Sequence, residues 1–256
     1  MTNELLQHLS EPVVFSFLIF VRISIIVQFA PSFSSKSIPM RFRFVIALVI
    51  TAVLMPLLID ENALNITSSS PLILSVAAEI VSGLIVGFSF YVMLVSLQIA
   101  GSIASQSMSL AQIFGTAVSE PMPALGHLMV FGGLALAAVH GYHVEFVKAL
   151  LQTYQLFPIG TLPDGNATIN WSMEAVQSGF NFAFRLAAPF VIASFIYNIA
   201  IGVINRAMPQ LMVAFVGAPA VTGGALIILA LVLPLMLSVW WHRFQIALEF
   251  PVGVVR

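Results

Sequence analysis

Three charged side chains stand inside otherwise apolar stretches: Arg22, Glu79 and Arg185. A charge within a bilayer costs a few kcal/mol or more, so each is a candidate for function. Two kinds of chemistry are open to them. An arginine can pair with an acid or snorkel to the membrane surface, bracing one helix against another. The alternative is proton or ion handling along a conducting path. The histidines raise a different chemistry. His140 and His143 have the spacing to share a helix face, and His127 precedes them. Zinc sites usually need three or four good ligands, and no carboxylate–histidine framework accompanies these residues. Glu145 is near in sequence but not on a matching face. No metal or other cofactor is expected. Walker A, HExxH and GxSxG patterns are absent, and no nucleophile–base pair is evident, so an enzyme is not expected.

Small residues form a second constellation. Glu79, Gly83 and Gly87 place two glycines on one helix face, where another backbone can approach closely. Gly101 continues the supply, with Ala100, Ala104 and Ser105 around it. The face can serve partner subunits or packing within the chain. A third constellation is the stretch RAMPQLMVAFVG, residues 206–217, set between apolar runs. Pro209 cannot donate a backbone hydrogen bond and pushes Met208 toward an extended conformation. The spacing predicts a turn between two antiparallel helices, with Arg206 and Gln210 at its tip. Pro31 and Pro39 punctuate a second tip in the same way.

The elements that must position these residues are apolar. Hydrophobic residues make up 60% of the 256-residue chain and charged residues 7%. A soluble domain carries about 25% charged residues, so the composition is that of a membrane protein. Net charge is −1, which gives no electrostatic footprint for nucleic acid. With no cysteine there is no disulfide and no thiolate site. The start, MTNELLQHLSEP, lacks a positive n-region, and the first apolar run is read as mature structure.

Apolar runs fall at 12–30, 44–59, 72–99, 124–151, 180–204 and 211–241. A span needs roughly 17–25 residues. The second run is marginal, and the third and sixth are longer than a crossing requires. Basic residues Lys36, Arg41, Arg43 and Arg206 lie in alternate connections from Asp60, Glu61, Asp164 and Glu174. The positive-inside rule then puts the basic loops in the cytoplasm and both termini outside. Residues 158–174 and 105–123 are polar enough to read as loops. One domain over 1–256 is expected, of all-α class, built from membrane-associated helical hairpins with about six apolar segments.

These residues carry a resemblance. Arg22-Ile-Ser24, Phe29-Ala-Pro31-Ser-Phe33 and Ile38-Pro39-Met-Arg41 form one matching stretch. Glu79, Gly83 and Gly87, continuing to Gln98 and Gly101, form another. Arg206-Ala-Met-Pro209-Gln210-Leu211 is the most specific. Over residues 5–243 the sequence resembles the FliR family of flagellar export-gate proteins and its relatives in virulence type III secretion. It departs in having Met212 where the family has asparagine, and Ala218-Pro219 where phenylalanine-proline is usual.

The resemblance implies a core subunit of a protein-conducting gate in the inner membrane, at the flagellar basal body. It implies FliP-like and FliQ-like partners, FlhB-like and FlhA-like export components, membrane lipid, and unfolded proteins as cargo. It further implies an assembly held partly above the bilayer, and a channel-closing role for 105–123. In that plug, Gln106, Met108, Phe114, Gly115 and Met122 would take part: methionine adapts its shape and glycine permits movement. Glu79, Gly83, Gly87 and Gly101 would serve a packing or subunit interface. Pro31, Phe33, Pro39, Arg41, Arg206, Pro209 and Gln210 would form the hairpin tips. The flagellar branch is favoured over the injectisome. A small-solute transporter is the rival class, but it would show internal repeats and paired broken helices. A passive membrane scaffold is the third reading.

Overall fold

The structure, a computed structural model, describes residues 2–33, 38–62, 71–109, 124–208 and 213–249. Among them there are seven helices and no strand: α1 (Thr2–Phe29), α2 (Met40–Asn62), α3 (Leu72–Ser109), α4 (Ala124–Val139), α5 (Tyr142–Leu156), α6 (Gly165–Ala207) and α7 (Val213–Glu249). The all-α class follows from the composition, because long apolar runs can satisfy their backbone in a membrane only as helices or closed barrels. Five helices are long and apolar enough to cross a bilayer: α1, α2, α3, α6 and α7.

Three expectations need correction. The apolar run at 124–151 is two helices, not one, broken at His140-Gly141, where Gly141 has φ 75°. That left-handed conformation suits glycine and ends a right-handed helix. The polar stretch 105–123 is not a loop throughout, since α3 continues to Ser109. Ser107 Oγ donates to the Ile103 and Ala104 carbonyls there, absorbing its polarity within the helix. Residues 158–174 are likewise a short turn followed by α6 from Gly165. The Asp164 carboxylate accepts the Ala167 N–H at 2.9 Å, an N-terminal cap.

The chain forms two compact units. The first comprises Met1–Val92, Gly141–Val176 and Phe244–Arg256. Its core is built on one stripe of α1, with Leu18, Ile19, Ile23, Ile26 and Val27 fully buried. Ala47, Thr51, Leu54 and Leu58 mark the buried face of α2, and Phe20 meets Phe44 edge-on. Phe90, Phe146, Tyr142 and Phe244 make an aromatic cluster with ring centroids 5.4–5.7 Å apart.

The second unit comprises Met93–His140 and Gln177–Arg243. Trp240 is fully buried, and its indole N–H donates to the Met93 carbonyl at 2.9 Å. Arg243 donates to the Ser178 hydroxyl and lies 5.1 Å from the Phe182 ring centre, tying α7 to α6.

Candidate functional site

The residues that promised chemistry fall into three places. In the first unit, Arg22 on α1 and Glu79 on α3 are both fully buried and meet as a forked ion pair. Arg22 Nε donates to Glu79 Oε2 at 2.6 Å and Nη2 to Oε1 at 3.0 Å. The remaining arginine nitrogen turns to α5. Nη1 donates to the carbonyls of Thr153 (3.2 Å) and Phe157 (2.8 Å). A helix C-terminus leaves carbonyls without donors and carries partial negative charge, so a cation is stabilised there.

Glu79 has a second partner, the Gly160 N–H at 2.8 Å. Gly160 has φ 77°, the left-handed conformation that returns the chain toward the carboxylate. The Tyr154 ring lies 4.3 Å from the guanidinium carbon, and its hydroxyl donates to the Ile19 carbonyl at 3.3 Å. Charge, hydrogen bonds and an aromatic face thus compensate the burial of both ions. Of the two chemistries open to Arg22, this geometry supports bracing: α1, α3 and the end of α5 are held by one fork.

Thr153, Tyr154, Phe157 and Gly160 did not stand out in the sequence. Their roles are backbone carbonyls, a backbone N–H and a ring face, which residue identity does not advertise. The one available signal was the Phe-Pro-Ile-Gly stop after α5.

The glycine face packs within the chain. A Cβ on Gly83 would lie 3.0 Å from the Arg22 carbonyl, and one on Gly87 3.0 Å from the Phe29 ring. The face expected to serve a packing or subunit interface is therefore occupied by α1. Gly101 is in the second unit, where α3 passes α4. A Cβ there would lie 2.3 Å from the Gly126 Cα.

The expected plug residues divide. Gln106 and Met108 belong to the last turns of α3, and Gln106 is exposed. Phe114, Gly115 and Met122 lie outside the described residues.

The tips are described in part. Pro31 is buried at the end of α1, where the Phe33 N–H donates to the Ala30 carbonyl at 3.0 Å. Pro39 precedes α2 and accepts the Phe42 N–H at 3.0 Å. Arg41 is exposed in the first turn of α2, whereas Arg43 Nη1 turns back to Gln28 Oε1 at 2.8 Å. Arg206 is exposed in the last turn of α6, where a cation complements the helix end. Helix α6 stops at Ala207, with Met208 outside it, and α7 starts at Val213. Pro209 and Gln210 themselves lie outside the described residues.

The histidines do not gather. His140 occupies the break between α4 and α5 rather than a shared helix face with His143, and its ring sits 5.2 Å from that of Trp241. Among the described residues no three His, Asp or Glu side chains are placed to hold a metal.

Known proteins are similar to this sequence over most of its length. The chain is 28% identical over 234 residues to the flagellar biosynthetic protein FliR of Caulobacter vibrioides, covering 91% of this chain and 93% of that one. It is 27% identical to the FliR of Escherichia coli, over 88% of this chain and 86% of the relative. The Bacillus subtilis FliR is 24% identical over 91% of each chain. The family model described as bacterial export proteins, family 1, matches residues 13–247, which takes in the ion pair, the glycine face and the 206–212 break. The chain belongs to this bacterial export family, the family of FliR.

Proposed function

We propose that this membrane protein is a core subunit of the flagellar type III protein export gate. With FliP-like and FliQ-like chains it would form the pore through which unfolded flagellar proteins leave the cytoplasm. FlhB-like and FlhA-like components would act beside it, at the inner membrane of the basal body. Its role is to conduct polypeptide rather than to catalyse a reaction.

The observation that carries this reading is the family match across 13–247, together with relatives whose names place them in flagellar biosynthesis. The architecture is compatible with it. Several apolar helices are available for a membrane, and the buried Arg22–Glu79 pair is saturated by structural partners, which speaks against an ion-carrying solute transporter.

Deleting the gene in its own host tests the proposal. Hook and filament proteins should vanish from the culture medium while their intracellular levels hold, and a plasmid copy should restore them. Normal filaments with missing virulence effectors would assign the chain to an injectisome. Continued export of both classes, with no second gate encoded, would return the solute transporter to first place.

A further inference from the structure

Helix α3 is fastened along its length by contacts of different kinds. In the first unit Glu79 holds the Arg22 fork, and Gly83 and Gly87 admit α1 to the α3 backbone. In the second unit the Met93 carbonyl accepts the buried Trp240 indole N–H, and Gly101 lies against the Gly126 backbone. None of these opens without disturbing a packed core.

At Ser107 the fastening is of another kind. Its carbonyl accepts a hydrogen bond from the Ser194 hydroxyl of α6. The Asn198 amide donates to Ser194 Oγ at 3.3 Å and to the Ser194 carbonyl at 2.9 Å. With Asn198 donating to it, the Ser194 oxygen keeps its own proton for Ser107. Three neutral groups thus form a relay from α6 to α3.

The surroundings set this relay apart. Past Arg185, which is exposed, α6 has no charged residue from 186 to 205. Phe195, Ile196 and Ile199, each more than half exposed, make the surface around Asn198 apolar. On the α3 side, the run Ser102-Ile-Ala-Ser105-Gln106-Ser107 replaces the leucine, valine and phenylalanine of earlier turns. Ser107 returns its own hydroxyl to the Ile103 and Ala104 carbonyls, and such back-bonding weakens and bends a helix. Serine is also a poorer helix former than leucine. Helical turns of this composition, tied through a hydrogen bond between neutral groups, can let go and re-form while the buried contacts behind them hold.

We propose that Ser194 and Asn198 are positioning residues that latch the last turns of α3 to α6 while the gate is at rest, and that the latch opens when polypeptide passes. This role rests on the export-gate reading and assigns it a reversible contact inside one subunit.

The absence of cysteine makes the test direct. Ser107→Cys and Ser194→Cys would be combined in the full chain and expressed with the other gate subunits in a host lacking its own copy. Oxidation, or a short bifunctional methanethiosulfonate, should consume both thiols, read as loss of maleimide labelling. Secretion of hook protein should stop on bridging and return on reduction, while each single-cysteine chain secretes throughout. Undiminished secretion from the bridged chain would overturn the latch, and so would a pair that neither treatment bridges. Secretion that persists in the host with no copy at all would instead overturn the export-gate reading.

Unbridged variants read the resting state. Ser194→Val and Ser194→Thr introduce side chains of one shape that differ in the hydroxyl. Ser194→Val should raise resting potassium leak severalfold with the subunits still co-purifying, and Ser194→Thr should stay at the level of the unmodified chain. Asn198→Ala, at an exposed position, should leak as Ser194→Val does. The double variant should leak no more than either single one, because both act through one hydrogen bond. Equal leak from Ser194→Val and Ser194→Thr would mean that the hydroxyl holds nothing, and additive leak in the double variant would break the relay.

Discussion

At the scale of single residues, the Arg22–Glu79 fork makes the sharpest demand. Each ion is fully buried, so removing one leaves the other uncompensated. Breaking such a pair costs about 3–5 kcal/mol. Glu79→Gln preserves shape and removes charge. It should lower the thermal midpoint of the purified chain in detergent markedly, and an unchanged midpoint would remove the bracing argument. Arg22→Lys separates charge from geometry. A lysine restores the cation but not the planar fork that reaches Glu79, Thr153 and Phe157 together. It should therefore lose about 1–3 kcal/mol as the Phe157 carbonyl loses its donor and the Thr153 carbonyl keeps only the Phe157 N–H, a smaller loss than that of Glu79→Gln.

At the scale of elements, the crossing of α3 and α4 rests on backbone contact. A methyl on Gly101 would fall 2.3 Å from the Gly126 Cα and 2.7 Å from its nitrogen, atoms that cannot swing aside. Gly101→Ala should force the helices apart and cost about 1–3 kcal/mol, as overpacking does. Gly202 on α6 is the control, because nothing lies within 4 Å of a Cβ there. Gly202→Ala should be neutral or stabilising by up to about 1 kcal/mol from helix propensity. Equal thermal midpoints for the two variants would mean that the crossing tolerates separation. The end of α6 gives another element-scale prediction. Arg206 is exposed, so Arg206→Ala should cost the chain's own stability no more than about 1 kcal/mol while weakening gate assembly or secretion. Normal secretion with intact assembly would sink its assignment to a partner-facing tip.

The same scale shows what the sequence could and could not disclose. Apolar runs located the long helices, because a run of twenty apolar residues has few other physical solutions. Pro209 signalled that a helix should end just before it, and α6 does end at Ala207. The run at 124–151 reads as one stretch although His140, Gly141, Tyr142, His143 and Glu145 interrupt it, and the left-handed φ of Gly141 makes the interruption a stop. Residues 105–109 and 165–174 misled in the opposite sense. Their serines and asparagines suggested loops, but Ser107 and Ser172 return their hydroxyls to carbonyls on the same helix. Arg22 and Glu79 were legible as a problem, two charges in apolar runs. Their solution was not, because three of the partners are backbone groups of the 153–160 segment.

At the scale of the whole molecule, the distinction between a gate and a scaffold rests on the segment between Ser109 and Ala124. A gate must hold an ion seal at rest and yield to a polypeptide, whereas a scaffold needs only to hold its helices together. The two demands separate experimentally because the helices have their own fastening: the Gly101–Gly126 contact joins α3 and α4 without any contribution from the segment between them. Since α3 extends to Ser109, an informative deletion spares 105–109 and replaces only 110–123 with a short Gly-Ser linker. Cells carrying that variant together with the remaining gate subunits should leak potassium and protons, and a membrane-potential dye should report depolarisation. The helices should still assemble, which co-purification of the subunits would check. An assembled complex that remains ion-tight would show that sealing lies elsewhere in the gate, and would leave 110–123 as a connection between α3 and α4.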